Sequence, residues 1–285
     1  MKILKELAWV DSLRSKFTKG KGVLTGIGDD CAVVCLGQER VLLKSDLFIE
    51  NIHFSLKKIT YKSIGMRAVA RVLSDFAASG GNPEYIGISI GVPSYIKKQN
   101  LEKILEGVLT LSKKYNFSLV GGDTSKSEEL FLDVWGVAKV NKPILRSKAK
   151  VGDYIFISGP LGARKFNTSF EPRIKESGYL AKNFKINSMI DISDGFAIDL
   201  YRILKESNKG ALIDYDKLPL KKGRDDLYRG EDYELIFTID KSDKKIEFLK
   251  KRFFYVGKIT SKKQGYKIKI NKSIKTLKPK GYSNF

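Results

Sequence analysis

The segment Gly26-Ile27-Gly28-Asp29-Asp30-Cys31-Ala32 places two adjacent carboxylates at the mouth of a predicted strand. The same arrangement, an apolar run followed by Gly or Ser and then Asp, recurs along this lysine-rich chain. The other copies are Leu42-Leu43-Lys44-Ser45-Asp46, Leu119-Val120-Gly121-Gly122-Asp123 and Ile190-Asp191-Ile192-Ser193-Asp194-Gly195. A further acid, Asp75, lies inside a helical pattern, where Asp is a mediocre helix former, so we expect it to have a partner.

Taken singly, each of these acids fits a turn or a helix N-cap, because Asp accepts backbone N–H bonds at both places. Several carboxylates that converge repel one another and need a counterion to stay ionised. Magnesium meets that need, since it binds hard oxygen ligands, usually a few carboxylates with waters and substrate phosphates. Acids, glycine-rich turns and basic surroundings together favour phosphoryl transfer, in which catalysis is positioning and charge neutralisation.

The common nucleotide-binding signatures are absent from the sequence. It has no Gly-x-x-x-x-Gly-Lys-Ser/Thr loop and neither the His-Arg-Asp nor the Asp-Phe-Gly motif of protein kinases. Gly26-Ile27-Gly28 lacks the third glycine of a dinucleotide fingerprint and opens onto two acids that would oppose a pyrophosphate unless a metal intervened. The sequence therefore favours a nucleotide site built around metal ions.

Length and composition predict two compact domains, and the pattern of segments along the chain mixes helices with strands. The chain has 285 residues, of which 42% are hydrophobic, more than one small core requires. The predicted boundary near residue 145 gives domains at residues 1–145 and 146–285. Periodicity predicts helices at residues 2–17, 61–79, 97–115, 195–206 and 244–252, and strands at 31–36, 40–44, 84–92, 117–120, 130–140, 154–157, 211–214, 234–239 and 253–256, with a terminal hairpin. Residues 160–185 are expected to be irregular.

The formal net charge of +21 raises the alternative of a nucleic-acid-binding module. Residues 241–285 hold fifteen Lys or Arg against two acids, but these alternate with apolar residues, as in Lys267-Ile268-Lys269-Ile270, a pattern typical of strands with one solvated face. No recognised RNA- or DNA-binding motif occurs, so we expect no dedicated nucleic-acid site. No apolar run reaches roughly 18 residues and no signal core follows Met1, so we expect a cytoplasmic protein without a membrane contact.

The two cysteines and the single histidine exclude two further classes of site. Cys31 and Cys35 would lie about 13 Å apart on one face of a strand, which is too far for a disulfide. One histidine without a Cys-x-x-Cys pair leaves too few ligands for zinc.

The order and spacing of six motifs resemble those of thiamine-monophosphate kinases, in the superfamily named for aminoimidazole ribonucleotide synthetase. The match runs from the first predicted helix to Gly281-Tyr282. The motifs are Gly26-Ile27-Gly28-Asp29-Asp30-Cys31-Ala32, Ser45-Asp46 with Ile52-His53-Phe54, Leu73-Ser74-Asp75-Phe76-Ala77-Ala78, Gly121-Gly122-Asp123-Thr124, Asp191-Ile192-Ser193-Asp194-Gly195 and Gly230-Glu231-Asp232-Tyr233-Glu234-Leu235. The resemblance implies an N-terminal domain that binds metal and ATP and whose sheet forms a barrel across a homodimer, followed by a C-terminal α/β domain.

The resemblance also implies a role for each matching residue in a transfer from ATP to thiamine monophosphate. Several magnesium ions would be held by Asp30, Ser45, Asp46, Asp75, Asp123, Asp191 and Asp194, among which Asp30, Asp46, Asp75 and Asp123 would be central to catalysis. ATP would contact Gly122, Asp123, Arg146 and Ser193, and thiamine monophosphate would contact His53, Glu231 and Tyr282.

Each residue to which the resemblance gives a role also has a simpler interpretation. His53 fits a partly buried histidine, Tyr282 a frayed terminus, Glu231 a solvated turn and Arg146 a surface cation. The chain departs from the family pattern at Lys44, where a small hydroxyl residue often stands, at Asn284, which replaces a histidine, and in a short 160–185 segment. The alternatives to the kinase are another ATP-using member of the superfamily, a protein that only binds nucleotide, and the nucleic-acid-binding module.

Overall fold

The computed structural model describes residues 2–16, 20–164 and 168–283. It contains two mixed sheets of seven strands each, with helices packed on them. This architecture confirms the predicted α/β class. Two predictions fall outside the described residues: the end of the first helix at Phe17, and the departure from the family pattern at Asn284.

The first half of the chain builds the first sheet, in the order β1-β2-β3-β7-β4-β5, with β6 paired to β4. Strand β7 lies antiparallel between β3 and β4, so that Asp46 of β3 is opposite Val134 of β7. The elements are α1 (Lys2–Lys16), β1 (Val23–Thr25), β2 (Ala32–Leu36), β3 (Glu39–Ile49), α2 (Tyr61–Ala78), β4 (Asn82–Val92), α3 (Lys98–Tyr115), β5 (Ser118–Gly121), β6 (Thr124–Lys126) and β7 (Phe131–Lys139).

Helix α2 is the central element of the fold. It begins at the N-cap Thr60, whose hydroxyl accepts a hydrogen bond from the backbone N–H of Ser63 at 3.2 Å. It crosses α3 closely, because a Cβ on Gly65 would stand 2.0 Å from the carbonyl oxygen of Ile104. Its last turn packs against the second half of the chain, where Ser177 donates a hydrogen bond to the carbonyl of Ala77 at 2.6 Å. Both halves therefore contribute to the surroundings of the C-terminal end of α2.

The second half builds the other sheet, in the order β14-β13-β10-β12-β8-β11-β9. Both faces of its central strands are covered, since Ile155 and Ile157 pack on the α5 side and Phe156 packs on the opposite side. The elements are β8 (Tyr154–Ile157), α4 (Ile174–Asn183), β9 (Ile186–Asp191), α5 (Phe196–Ser207), β10 (Lys209–Asp214), β11 (Leu235–Ile239), α6 (Ile246–Arg252), β12 (Phe254–Ser261), β13 (Tyr266–Ile270) and β14 (Ser273–Thr276).

The expectation that residues 160–185 are irregular was wrong in part, because α4 occupies Ile174–Asn183. Polar residues dominate this stretch, but Leu180 is fully buried and Ser177 is 2% exposed, so packing against α2 favours the helix. The alternation at the basic C-terminal end is confirmed, with Ile268 buried between exposed lysines.

Both cysteines are free thiols. Cys31 lies just before β2 and not on it, so the two do not share a strand as expected. Within the described ranges, no helix has the length and apolar content needed to cross a bilayer.

Candidate active site

A cavity of about 570 Å³ lies between the two halves of the chain. Strand β3 and helix α2 supply one wall, and the segment after β9 supplies the other. Most of the residues singled out in the sequence line it: Asp30, Asp46, His53, Asp75, Arg146, Asp191, Ser193, Asp194, Glu231 and Tyr282. The fold therefore brings together carboxylates that are more than 160 positions apart in the sequence.

The alternation of β3 decides which of its polar residues reach the cavity. Lys44 and Asp46 lie on the inner face, whereas Leu43, Ser45 and Leu47 are exposed on the outer face. The Lys44 Nζ is 3.1 Å from Asp46 and 3.0 Å from Asp75. Burial acts to lower the pKa of Lys44, but the two carboxylates outweigh it and hold that pKa well above its usual value. The partner that the sequence predicted for Asp75 is therefore Lys44.

Three buried carboxylates form the centre of the site. Asp30 precedes β2, Asp75 lies in the last turn of α2, and Asp191 ends β9; one oxygen of each lies within 4.8 Å of the others. Burial, and then the charge of Asp30, raises the pKa of Asp191 to about 7. Burial also raises the pKa of Asp75 well above its usual range, although Lys44 acts to lower it. A set of hard oxygen donors that repel one another is suited to a divalent cation such as Mg²⁺.

Arg146 lies against this cluster in a single helical turn after β7. Its Nε donates to Asp30 at 3.1 Å and its Nη2 donates to the other oxygen of the same carboxylate. The backbone N–H of Arg146 donates to Asp29 at 3.2 Å, and Ser207 donates to the Arg146 carbonyl at 2.7 Å. Burial, and then the neighbouring Asp30, raises the pKa of Asp29 to about 6. Arg146 is thus a fixed, planar donor in the cavity wall and not a surface cation.

The start of α5 fixes the segment that contains Ser193 and Asp194. Asp199, in the first turn of the helix, accepts backbone N–H bonds from Asp194 and Gly195 at 3.0 Å each. Arg202 is 2.7 Å from the Asp194 carboxylate. The C-terminal segment docks on the same loop, because the Tyr282 N–H donates to the Asp194 carbonyl at 2.9 Å. The terminus at Tyr282 is therefore anchored and not frayed.

His53 and Glu231 both line the cavity. The Nδ1 of His53 accepts a hydrogen bond from the Ile49 N–H at 3.0 Å, so the ring proton resides on Nε2. Burial, and then the charge of Arg71, lowers the pKa of His53 to about 4, which keeps the ring neutral. Glu231 binds Arg67 at 2.7 Å through Oε1, while its Oε2 is buried without a hydrogen bond.

The backbone at this end of the cavity adopts an uncommon conformation. Glu231 has a φ of 68° and Tyr233 a φ of 49°, in the left-handed region that non-glycine residues rarely occupy. Such residues concentrate at binding sites, where the surrounding structure holds them in place. Glu231 is accordingly part of the cavity wall and not of a solvated turn.

Three predicted site residues lie away from the cavity. Ser45 is on the outer face of β3, where its hydroxyl donates to Asp133 at 2.6 Å. Gly122 and Asp123 lie between β5 and β6, which β7 and β4 separate from β3 in the sheet, and Asp123 accepts a hydrogen bond from the Ser125 hydroxyl at 3.1 Å. Their roles in metal and ATP binding stay predictions that the geometry of the cavity does not support.

Several cations of the site were not predicted from the sequence, namely Arg67, Arg71 and Arg202. Arg67 and Arg71 precede Asp75 at intervals of four on α2, so helical spacing carried a signal that the three side chains share one face. Arg71 lies 4.0 Å from Asp46 and donates to the Tyr233 hydroxyl at 3.1 Å. Arg202 had no comparable signal, because its bond to Asp194 depends on the turn between β9 and α5.

Comparison with known proteins gives the family. Residues 28–140 match the family described as AIR synthase related protein, N-terminal domain. The chain is 33% identical to the thiamine-monophosphate kinase of Buchnera aphidicola subsp. Acyrthosiphon pisum over 92% of its own length and 93% of that protein. The chain belongs to the thiamine-monophosphate kinase family. The family member of Escherichia coli strain K12 is 29% identical over 91% of both chains.

A solved structure agrees with this assignment to the thiamine-monophosphate kinase family. The structure described as AaThiL complexed with AMPPCP and TMP superposes with a TM-score of 0.84 at 26% identity, covering 100% of this chain and 99% of that one. The arrangement of the two sheets is therefore that of the family along the whole length of the chain.

Proposed function

We propose that this chain transfers the γ-phosphoryl group of ATP to the phosphate of thiamine monophosphate, giving thiamine diphosphate and ADP. The observation that carries the proposal is the convergence of Asp30, Asp75 and Asp191 beside Arg146 in a cavity between the two halves. The family membership supports the same reaction, since relatives over more than 90% of the chain bear that name. An ATP analogue and TMP are named in the similar solved structure, which supports both substrates.

We propose magnesium as the metal, held by Asp30, Asp75 and Asp191, with Asp46 and Asp194 at the edges of the same cavity. Bound Mg²⁺ would neutralise charge between the two phosphorylated reactants. Hard carboxylate oxygens fit that ion, and burial, with the charge of neighbouring carboxylates, raises the pKa of Asp75 and of Asp191, which a bound cation would offset.

The nucleotide side of the cavity is assigned to Arg146 and Ser193. Arg146 presents a guanidinium, the group best suited to planar recognition of phosphate oxygens, and it is held in place by Asp30 and Ser207. Ser193 lies in the turn before α5, whose backbone is fixed by Asp199. These hydrogen bonds hold Arg146 and the turn that contains Ser193 in place, so that both can orient the phosphates.

The acceptor side is assigned to His53, Glu231 and Tyr282. Neutral His53 offers an Nε2–H donor, and Glu231 offers a buried oxygen that lacks a hydrogen bond in the described residues. An amino group, such as that of an aminopyrimidine, would satisfy that oxygen and remove the cost of burying it unpaired. The attacking phosphate oxygen is already ionised at neutral pH, so positioning matters more than a general base.

We also propose that the chain forms a homodimer through the outer face of the first sheet, which would close into a barrel with its copy. The face carries large apolar side chains that are 38 to 50% exposed: Leu43, Leu47, Tyr85 and Trp135. Monomeric proteins rarely leave contiguous apolar patches on a sheet uncovered. In this arrangement the first sheet serves dimerisation on one face and the active site on the other.

The decisive experiment incubates the protein with ATP, Mg²⁺ and either thiamine or thiamine monophosphate, and separates the products by chromatography. Thiamine diphosphate made only from the monophosphate, with one ADP per product, is the expected result. ATP hydrolysis that is the same with and without thiamine monophosphate would refute the proposed acceptor. Binding to generic RNA that survives physiological salt, without turnover, would favour the nucleic-acid module instead.

A further inference from the structure

Lys44 places an ammonium group between two carboxylates inside the cavity. Its Nζ lies 3.1 Å from Asp46 and 3.0 Å from Asp75, and the side chain is 23% exposed. Lys44 reaches this position because it lies on the inner face of β3, opposite Gly136 of β7.

The charges around the carboxylates are distributed unevenly. Asp46 has Lys44 on one side and Arg71 at 4.0 Å on the other, so this end is neutralised by the protein itself. Asp191, at the other end, accepts a hydrogen bond from the Ser74 hydroxyl at 2.7 Å, which brings no charge. Of the three central carboxylates, Asp30 pairs with Arg146 and Asp75 pairs with Lys44, whereas the Asp191 side chain has a neutral partner.

The Lys44 ammonium occupies the volume in which a cation bridging Asp46 and Asp75 would have to lie. A magnesium ion ligated by both carboxylates would stand about 2.0 to 2.1 Å from an oxygen of each. An ammonium nitrogen already within 3.1 Å of both leaves no room for that ion. The two cations therefore exclude each other from this position.

We propose that Lys44 is a resident cation that takes the place of a divalent ion between Asp46 and Asp75, so that divalent ions bind only at the side formed by Asp30, Asp75 and Asp191. The identity of the reaction rests on the function proposed above, but the number of bound ions does not. An ammonium has three donors, of which two are directed to Asp46 and Asp75.

The test counts divalent ions bound per chain. Mn²⁺, a paramagnetic substitute for Mg²⁺, is titrated in the presence of a non-hydrolysable ATP analogue, and free Mn²⁺ is read by electron paramagnetic resonance. Lys44→Ser, which removes the ammonium and opens its volume, is expected to bind one more Mn²⁺ per chain than the unmodified protein. Lys44→Arg keeps a cation and is expected to bind the same number as the unmodified protein.

A matched control is Lys139→Ser, since Lys139 lies on the neighbouring strand β7 but is 51% exposed and pairs with Glu39 at 3.6 Å. It is expected to leave the Mn²⁺ count unchanged. Equal counts for the unmodified protein and Lys44→Ser would overturn the proposal. Turnover is not needed for this count, so its failure is distinct from a failure of the kinase assay.

A second measurement uses the unmodified chain and does not depend on a variant that folds. Crystals grown with Mn²⁺ and the ATP analogue are measured at a wavelength where manganese scatters anomalously. Anomalous peaks at the Asp30, Asp75 and Asp191 side, with the Lys44 Nζ kept between Asp46 and Asp75, are expected. A peak between Asp46 and Asp75 with Lys44 displaced would overturn the proposal.

Discussion

Replacing Arg67 by Met tests whether the proposed acceptor side is held by a buried ion pair. The Arg67 side chain is 2% exposed and binds Glu231 at 2.7 Å, whereas Glu231 is 21% exposed. Breaking a fully buried pair costs about 3 to 5 kcal/mol, and the partial exposure of Glu231 places the expected loss at about 3 kcal/mol. A loss of that size corresponds to a fall in Tm of about 6 to 12 °C for a protein of this size.

The assay is a double-mutant cycle with Arg67→Met, Glu231→Gln and the double variant, each followed by urea unfolding. Because each single change leaves the other group unpaired, the cycle is expected to give a coupling free energy of about 2 kcal/mol. The same variants are expected to raise KM for thiamine monophosphate while KM for ATP stays within about twofold, since Arg146 is held by Asp30 and Ser207 and not by this ion pair.

The control is Arg40→Met, because Arg40 is exposed and donates to the backbone carbonyl of Asn141 at 2.9 Å. It is expected to change the free energy of unfolding by less than about 0.5 kcal/mol. If the losses of the two single variants simply add in the double variant, the reasoning about the Arg67 and Glu231 pair is refuted.

Four further outcomes are expected. Asp75→Asn should lower kcat by at least about 100-fold, measured by ADP release, because it removes a central charge of the carboxylate cluster; unchanged rates would remove Asp75 from the mechanism. Arg146→Lys should raise KM for ATP by about tenfold, since an ammonium does not span both Asp30 oxygens; steady-state kinetics with an unchanged KM would contradict the assignment. The depressed pKa of His53, about 4, means that the unmodified protein should lose stability relative to His53→Gln as pH falls from about 6.5 to 4, measured by urea unfolding; parallel curves would contradict it. Leu47→Lys should convert the proposed dimer to a monomer in sedimentation experiments, and a dimer that persists would rule out this face as the interface.

The sequence predicted the fold well where apolar periodicity was strong. Strand β8 was predicted at residues 154–157, where it lies in the structure, because four apolar residues in a row suit a strand buried on both faces. Helix α4 was not predicted, because its stability comes from packing on α2. The local sequence pattern contains no information about that contact.

The candidate site was predicted in part for a similar reason. Motifs located Asp30, Asp75 and Asp191, because Asp30 and Asp191 stand beside turns at strand ends and Asp75 stands inside a helical pattern where Asp is unusual. They did not distinguish Ser45 from Asp46, which differ by one position and therefore lie on opposite faces of β3. The ion pairs of Arg67 and Arg202 join distant segments, and only the folded chain reveals them.

The last two turns of α2 have a consequence for how this protein could be divided. Ser74 donates to Asp191 and Ala77 accepts from Ser177, so one helix of the first half completes both the chemistry and the packing of the second. Neither half, expressed by itself, would carry a working site. An exchange of halves between two relatives would succeed only where α2 and the residues it meets across the junction are inherited together.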